Sequence, residues 1–250
     1  YKRQHGIYGF IGPALAFLLL GLVSLAVIGL SLLHGQALAG LGLLASLLTP
    51  ALVSSESPSP VSLFAFLGLT WLAVHAVARI RTWTLVPCLS NIGMGLWVLV
   101  YLAFDELPDL TPPTAALILM CAGTAFLWPG ARYASAKDSA PGWRSLLRRR
   151  PLSVTLSLSL MSVIPALFML VMPSLGIEPL FATAAIIAAL AAVGAGRSYA
   201  PWATLIAAVG AVAAVGMTAL AWLDFLPPTP IAGQAMPIKT FTAEIAISLG

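Results

Sequence analysis

Charge is what this sequence has least of. Of 250 residues only 12 are Lys or Arg and 8 are Asp or Glu, where soluble domains devote about a quarter of their residues to charge. Those few charges fall in short gaps between apolar runs, so an ordinary water-facing surface is excluded. Cysteine is scarcer still. Cys88 and Cys121 both lie inside apolar runs, without metal spacing or a disulfide framework, and read as small apolar fillers. Catalytic signatures are missing too: there is no phosphate loop, HExxH, CxxC, GxSxG or dinucleotide fingerprint behind a strand. No catalytic residue, metal, cofactor or nucleic-acid partner is therefore assigned, and an enzyme is the less expected reading. The longest gap between apolar runs is about 22 residues, 130–151, which leaves no room for a soluble catalytic domain.

What the sequence has is hydrophobicity: 60% apolar residues and a mean hydropathy of +1.00. A membrane span needs ~20 mostly apolar residues, and eight such stretches are expected. They run from Phe10 to Leu33, Gln36 to Val53, Val61 to Ala78, Thr84 to Phe104, Pro113 to Pro129, Leu152 to Pro173, Pro179 to Gly196 and Pro201 to Leu223. Barrel strands would be about 10 residues long with alternating polarity, which these runs lack. The expected fold is an all-α polytopic bundle, single in domain over 5–250, with a ninth span begun at Phe241. The run that begins there stops short of a span, which suggests a fragment. The opening Tyr1–Gln4, YKRQ, has codons that can be written as the end of a sequencing-library adapter and is expected to be non-native. The first apolar run is too long for a signal-peptide core and lacks a cleavage site after it.

The charges order these runs. Arg79 and Arg81 follow the third; Arg132, Lys137, Arg144, Arg148, Arg149 and Arg150 follow the fifth; Arg197 follows the seventh. The remaining gaps hold Glu56, then Asp105, Glu106 and Asp109, then Glu178, then Asp224 with Lys239. Setting aside Lys2 and Arg3, nine basic residues fall on one face and one on the other. Basic short loops stay in the cytoplasm, so the first span is expected to start outside a bacterial inner membrane and the 130–151 loop to lie inside. Trp83, Trp128, Trp202 and Trp222 sit at span ends, where amphipathic rings favour the interface.

The stretch from His34 to Leu69, HGQALAGLGLLASLLTPALVSSESPSPVSLFAFLGL, resembles the bacterial family called domain of unknown function 2339. Its members run from a His-Gly turn through an Ala/Leu/Gly-rich helix into a Leu-Thr-Pro-x-Leu-Val-Ser step. The later AVARIRTW at 76–83 resembles the family's basic, Trp-containing turn. The likeness is best over residues 8–104. It departs at Ala45-Ser46, where the family has Gly-Gly, and at Ser59-Pro60, where it has Asn-Pro. The resemblance implies a many-span bacterial inner-membrane protein, often much longer than 250 residues, and supplies no activity and no catalytic residues.

Several polar positions inside the runs are candidates. Pro50 cannot donate to the carbonyl of Ser46 and crowds it, so the second helix is expected to kink or end early, with Thr49 and Ser46 partly satisfying the freed groups. Such a site is either a helix-ending kink or a carbonyl turned toward a polar path. Pro165 poses the same choice at greater depth. The hydroxyls from Ser153 to Ser162 around it are expected to bond backward along their own helix. His75 and Asn91 are ionisable or strongly polar within spans three and four, and adjacent antiparallel helices bring such positions within reach. Either they form a functional pair, or His75 sits near the headgroups and Asn91 ties two helices together. His34 reads as a solvated turn residue, and Glu244 as a buried acid or an interfacial one.

Spans seven and eight carry small residues at intervals of four, namely Ala188, Ala192 and Gly196, then Ala207 and Ala211, then Gly210 and Ala214. Such faces are expected to pack tightly against other helices. Arg144, Arg148, Arg149 and Arg150, with Trp143 and two leucines, are expected at an anionic lipid surface. Asp105, Glu106 and Asp109 are either a solvated loop or an outer-face metal site. The expected partners are the bilayer, anionic headgroups, and further helices of this chain or of copies of it. Three function classes stay open: a transporter with Pro-broken helices, an enzyme acting on lipid-linked substrates at the outer face, and a scaffold.

Overall fold

In a computed structural model, described residues are 13–52, 59–81, 83–105, 108–128, 152–171, 177–197 and 200–224. Parts of the first helix and the last residues of the second and eighth are described by backbone alone. Tyr1–Gln4, Glu56, Glu106, the 130–151 loop with its arginines, the ring of Trp222, and the expected ninth span with Lys239 and Glu244 lie outside the described residues.

Eight helices and no strands form among the described residues: α1 Pro13–His34, α2 Gln36–Leu52, α3 Pro60–Arg81, α4 Leu85–Phe104, α5 Thr111–Leu127, α6 Ser153–Met169, α7 Glu178–Gly196 and α8 Pro201–Asp224. Six of their starts have a common local cause. Pro13, Pro60, Pro87, Pro112, Pro179 and Pro201 each sit in a first turn, where the missing N–H is not needed and the fixed φ suits a helix. The join between α1 and α2 is Gly35 alone, at φ 98°, a left-handed conformation that side chains resist.

Each helix coincides with one of the expected runs. Four of them, α3, α4, α7 and α8 over Pro201–Leu220, are long and apolar enough by length and composition to cross a membrane. α2, α5 and α6 are apolar but only 17 residues long, at the lower limit for a span. α6 closes at Met169, earlier than the expected run to Pro173.

Two units divide the chain, Tyr1–Ala214 and Val215–Gly250. Of the second, the end of α8 is described, where the Thr218 hydroxyl donates to the Val215 carbonyl. In the first, every helix from α1 to α7 packs on its next and its next-but-one neighbour. Odd helices thus form one row and even helices a second, interleaved row. α4 packs most extensively on α6 and also touches α2, α3 and α5, so a polar side chain on α4 has three or four helices within reach.

The expected small-residue faces divide. Gly210, Ala207 and Ala214 are packed; a methyl group on Gly210 would press into Val163. A side chain on Gly194 would run into the backbone of Thr204, so α7 and α8 approach closely there. Ala188, Ala192 and Gly196 are instead exposed, contrary to the tight packing expected of them. α7 turns its other side, Ala182, Ile186 and Leu190, into the core.

Candidate functional site

Among the described residues twelve polar side chains are buried inside the bundle, while large apolar ones such as Leu41, Leu44, Leu48, Leu96, Val209 and Val212 face outward. A soluble protein inverts this order; hydrocarbon surroundings require it.

The centre of the polar cluster is Asn91 on α4, which is fully buried. Its side-chain carbonyl accepts from the Trp71 indole N–H of α3 at 2.8 Å. Its amide donates at 3.1 Å to the Val154 carbonyl and at 3.1 Å to the Ser157 hydroxyl, both on α6. Ser157 in turn donates to the Val154 carbonyl at 3.0 Å. Asn91 therefore ties three helices, one more than the sequence suggests. Trp71 fits because α5 carries Gly123 opposite it: a Cβ there would overlap the indole ring.

His75 is also fully buried, one turn along α3. Its ring stacks on Trp71 at 3.8 Å between centroids, and Nδ1–H donates to the Trp71 carbonyl at 3.1 Å. A neutral ring with that bond presents a bare lone pair at Nε2, and Nε2 has no partner among the described residues. His75 is thus shielded by neighbouring helices, and it makes no hydrogen bond to Asn91. Trp71 links the two. The sequence does hold a signal for Trp71: it lies mid-helix, away from the span ends, and a buried indole N–H calls for an acceptor. The crevice beside it, bounded by Leu43, Leu67, Thr70, Ser90 and Met94, is too narrow for a water molecule.

At Pro50 the hydroxyls do not take the role expected of them, while those around Pro165 do. Pro50 lies within α2, which continues to Leu52. Ser46 and Thr49 donate to the carbonyls of Gly42 and Ala45 at 2.8 Å each, one turn back, and neither serves the Ser46 carbonyl freed by Pro50. A donor from outside the helix, the Trp97 indole of α4, bonds the next carbonyl, that of Leu47, at 2.9 Å. Pro165 is buried within α6. Thr155, Ser157 and Ser159 bond backward to Leu152, Val154 and Thr155, as hydroxyls in apolar helices do. Ser162 meets the Cys121 thiol of α5 at 3.6 Å, and Thr183 of α7 donates to the Ala166 carbonyl at 2.7 Å.

At the helix ends, Arg81 donates to the Leu32 carbonyl of α1, closing an orphan carbonyl of that helix's last turn. His34 reaches back to the Leu30 carbonyl at 3.2 Å and is exposed. Asp109 accepts from the Thr111 N–H at 2.9 Å, and its own N–H donates to the Tyr101 hydroxyl at 2.9 Å. That carboxylate thus shapes the entry to α5. Trp128, at the end of α5, is buried, whereas Trp83 and Trp202 are half-buried. Among the described residues no three His, Cys, Asp or Glu side chains gather as a metal site.

An all-helical fold with apolar helices, polar groups turned inward and leucines outward is a membrane-protein fold. Residues 4–240 match the family described as "Predicted membrane protein (DUF2339)", and the chain belongs to that family. The function of that membrane protein is unknown. Neither the curated proteins nor the solved structures provide a match.

Proposed function

We propose that the chain is a multi-pass protein of a bacterial inner membrane that serves as a membrane-embedded scaffold. In this reading all eight helices cross the bilayer. The turn at Gly35, the ends at Arg79, Arg81 and Arg197, and the 130–151 loop are cytoplasmic, following the excess of basic residues there. Helices of 17 residues cross with little tilt or with local thinning of the bilayer. Arg144, Arg148, Arg149 and Arg150 lie against anionic headgroups, and further helices of the same chain or of its copies pack on the apolar exterior.

One observation carries the scaffold reading: the Trp71–Asn91–Ser157–Val154 bonds satisfy one another across α3, α4 and α6, beside a crevice that excludes water. Such bonds join helices to one another; a substrate path needs polar groups turned toward a hydrated space. Aqueous thiol labelling tests it. Cysteines placed singly at Thr70, Ser90 and Ser157, with Cys88 and Cys121 replaced by Ala, are expected to stay unreactive toward a soluble maleimide in native membranes. Labelling at all three positions would sink the scaffold reading.

A transporter is the second reading, favoured by the unpartnered Nε2 of fully buried His75. It requires that lone pair to meet a proton or a substrate in some other state of the bundle. Reactivity at Ser90 and Ser157 that depends on pH or on an added solute would move this reading ahead.

A further inference from the structure

Between the C-terminal halves of α5 and α7 lies a groove of about 390 Å3, within the range of small-ligand sites, roughly 300–1,000 Å3. Its walls are Ile118, Ala122 and Phe126 on α5 and Ala189, Ala192 and Val193 on α7, and Arg197 closes one end. The groove stays open because α7 presents small side chains on this side: Ala192 and Gly196 are exposed, and a methyl group on Gly196 would meet nothing. The Arg197 guanidinium lies 5.5 Å from the centroid of the Phe126 ring. No carboxylate among the described residues forms an ion pair with it.

We propose that this groove holds one acyl chain of an anionic phospholipid of the cytoplasmic leaflet, with the lipid phosphate on Arg197. The inference rests on the membrane orientation proposed above. In that orientation α5 and α7 run the same way, and both end in the cytoplasmic leaflet, where anionic lipids concentrate.

Depth selects the occupant. From Ile118 to Phe126 the wall rises ~12 Å at 1.5 Å per residue, just under the ~15 Å that one leaflet contributes to a hydrocarbon core ~30 Å thick. A helix from a second copy would need a face running the whole ~30 Å. A single lipid tail needs one leaflet. Charge selects the headgroup. Two helix C-termini meet at this end and present partial negative charge, so an anion is held there only because Arg197 offsets them. A guanidinium also matches phosphate oxygens in a forked pair of bonds. Basic pockets between helices on the cytoplasmic side hold anionic headgroups by the same chemistry.

The test is native mass spectrometry of the full chain in detergent micelles, with equimolar phosphatidylglycerol and phosphatidylcholine added. The wild type is expected to retain one phosphatidylglycerol per chain in preference to phosphatidylcholine. Arg197→Gln should reduce that preference about five-fold, the ratio produced by ~1 kcal/mol per basic residue at an anionic surface, and Arg197→Lys should keep most of it. Ala192→Leu fills the groove from an exposed position and should remove the adduct of either lipid. Helical content and unfolding midpoint should match the wild type in all three. Binding without headgroup preference, or phosphatidylglycerol retained equally by Arg197→Gln and Ala192→Leu, would overturn the proposal. So would loss of a dimer, instead of a lipid, on filling the groove. A cysteine replacing Arg197 reports the orientation separately. Labelling of that cysteine from the periplasmic side would overturn the leaflet assignment while leaving the groove's lipid occupancy to be read by mass.

Discussion

Asn91 concentrates more of the fold's polar bonding than any other side chain described in it, because one amide reaches α3 and α6 at once. Asn91→Leu keeps the branching at Cγ and the number of side-chain heavy atoms, and removes all three bonds. The Trp71 N–H is then left buried without an acceptor, while the Val154 carbonyl keeps its Ser157 donor. The cost of an orphaned buried donor is about 1–3 kcal/mol. Single interhelical bonds in membranes average ~0.6 kcal/mol, so the three lost together are expected to fall in the same range. Unfolding by SDS in mixed micelles should show it as a lowered midpoint, and an unchanged midpoint would mean the bonds hold nothing together. A second substitution tests the same cluster from the opposite wall. Gly123→Leu drives a side chain into the Trp71 ring, and overpacking costs about 1–3 kcal/mol before the Asn91 bond is counted. Its loss should exceed that of Asn91→Leu, and combining the two should cost less than their sum, because both break one contact. His75 and Asn91 were legible as candidates because polar groups inside apolar runs stand out. Trp71, the group that joins them, reads as one more bulky apolar residue until its N–H is seen to need an acceptor.

Elements were the most legible level. Runs of about twenty apolar residues between prolines and charged gaps leave little freedom in where a helix starts, and Pro60, Pro179 and Pro201 mark starts directly. What the runs conceal is which face turns inward. α7 shows the limit: its Ala188–Ala192–Gly196 stripe has the spacing of a packing face and lies exposed, because Ile186 and Leu190 on its other side bury more area in the core. A helix of small and large apolar residues has no polar face to decide its rotation; neighbours decide it. α2 shows the same dependence at Pro50. Local reasoning offers Ser46 and Thr49 as donors to the freed carbonyl, but a hydroxyl on a helix reaches back a turn more readily than along its own turn. The donor from outside the helix, the Trp97 indole of α4, meets the neighbouring Leu47 carbonyl instead, a long-range pairing that no local pattern encodes. Trp97→Phe is therefore expected to cost ~0.6–1.7 kcal/mol, read from the same unfolding midpoint. The loss should shrink when Pro50 is also replaced by Ala, since the regained N–H strengthens the last turn of α2 on its own. Full additivity of the two changes would mean that Trp97 does not support the proline turn.

For the whole molecule, the interleaved rows of α1 to α7 set a constraint that charge counting alone does not. Each helix packs on its next and next-but-one neighbour, so odd helices lie side by side, as even ones do. If consecutive helices alternate in direction, the C-terminal ends of α1, α3, α5 and α7 lie on one side. Arg81 already bonds the Leu32 carbonyl in the last turn of α1, which places the ends of α1 and α3 together. On that condition Arg79, Arg81 and Arg197 belong to one face, and Asp105, Asp109 and Glu178 to the other. That division is the one the cytoplasmic preference of basic loops requires. A helix that failed to cross would reverse every later end, and if it lay among α4 to α7 it would put Arg197 opposite Arg81. In a chain with Cys88 and Cys121 replaced by Ala, single cysteines at Ser59 and Asp109 are expected to react with an impermeant maleimide on intact spheroplasts. Cysteines at Gly35 and Arg197 should react only in inverted vesicles. Reaction of Gly35 and Arg197 from opposite sides would show that an odd number of the six helices α2 to α7 does not span, and the 17-residue helices α2, α5 and α6 would be the first to re-examine. Agreement at all four positions would establish that α2 crosses, that α3 and α4 both cross or both fail to, and that either all three or only one of α5 to α7 cross, because each position reports only the parity of the helices before it.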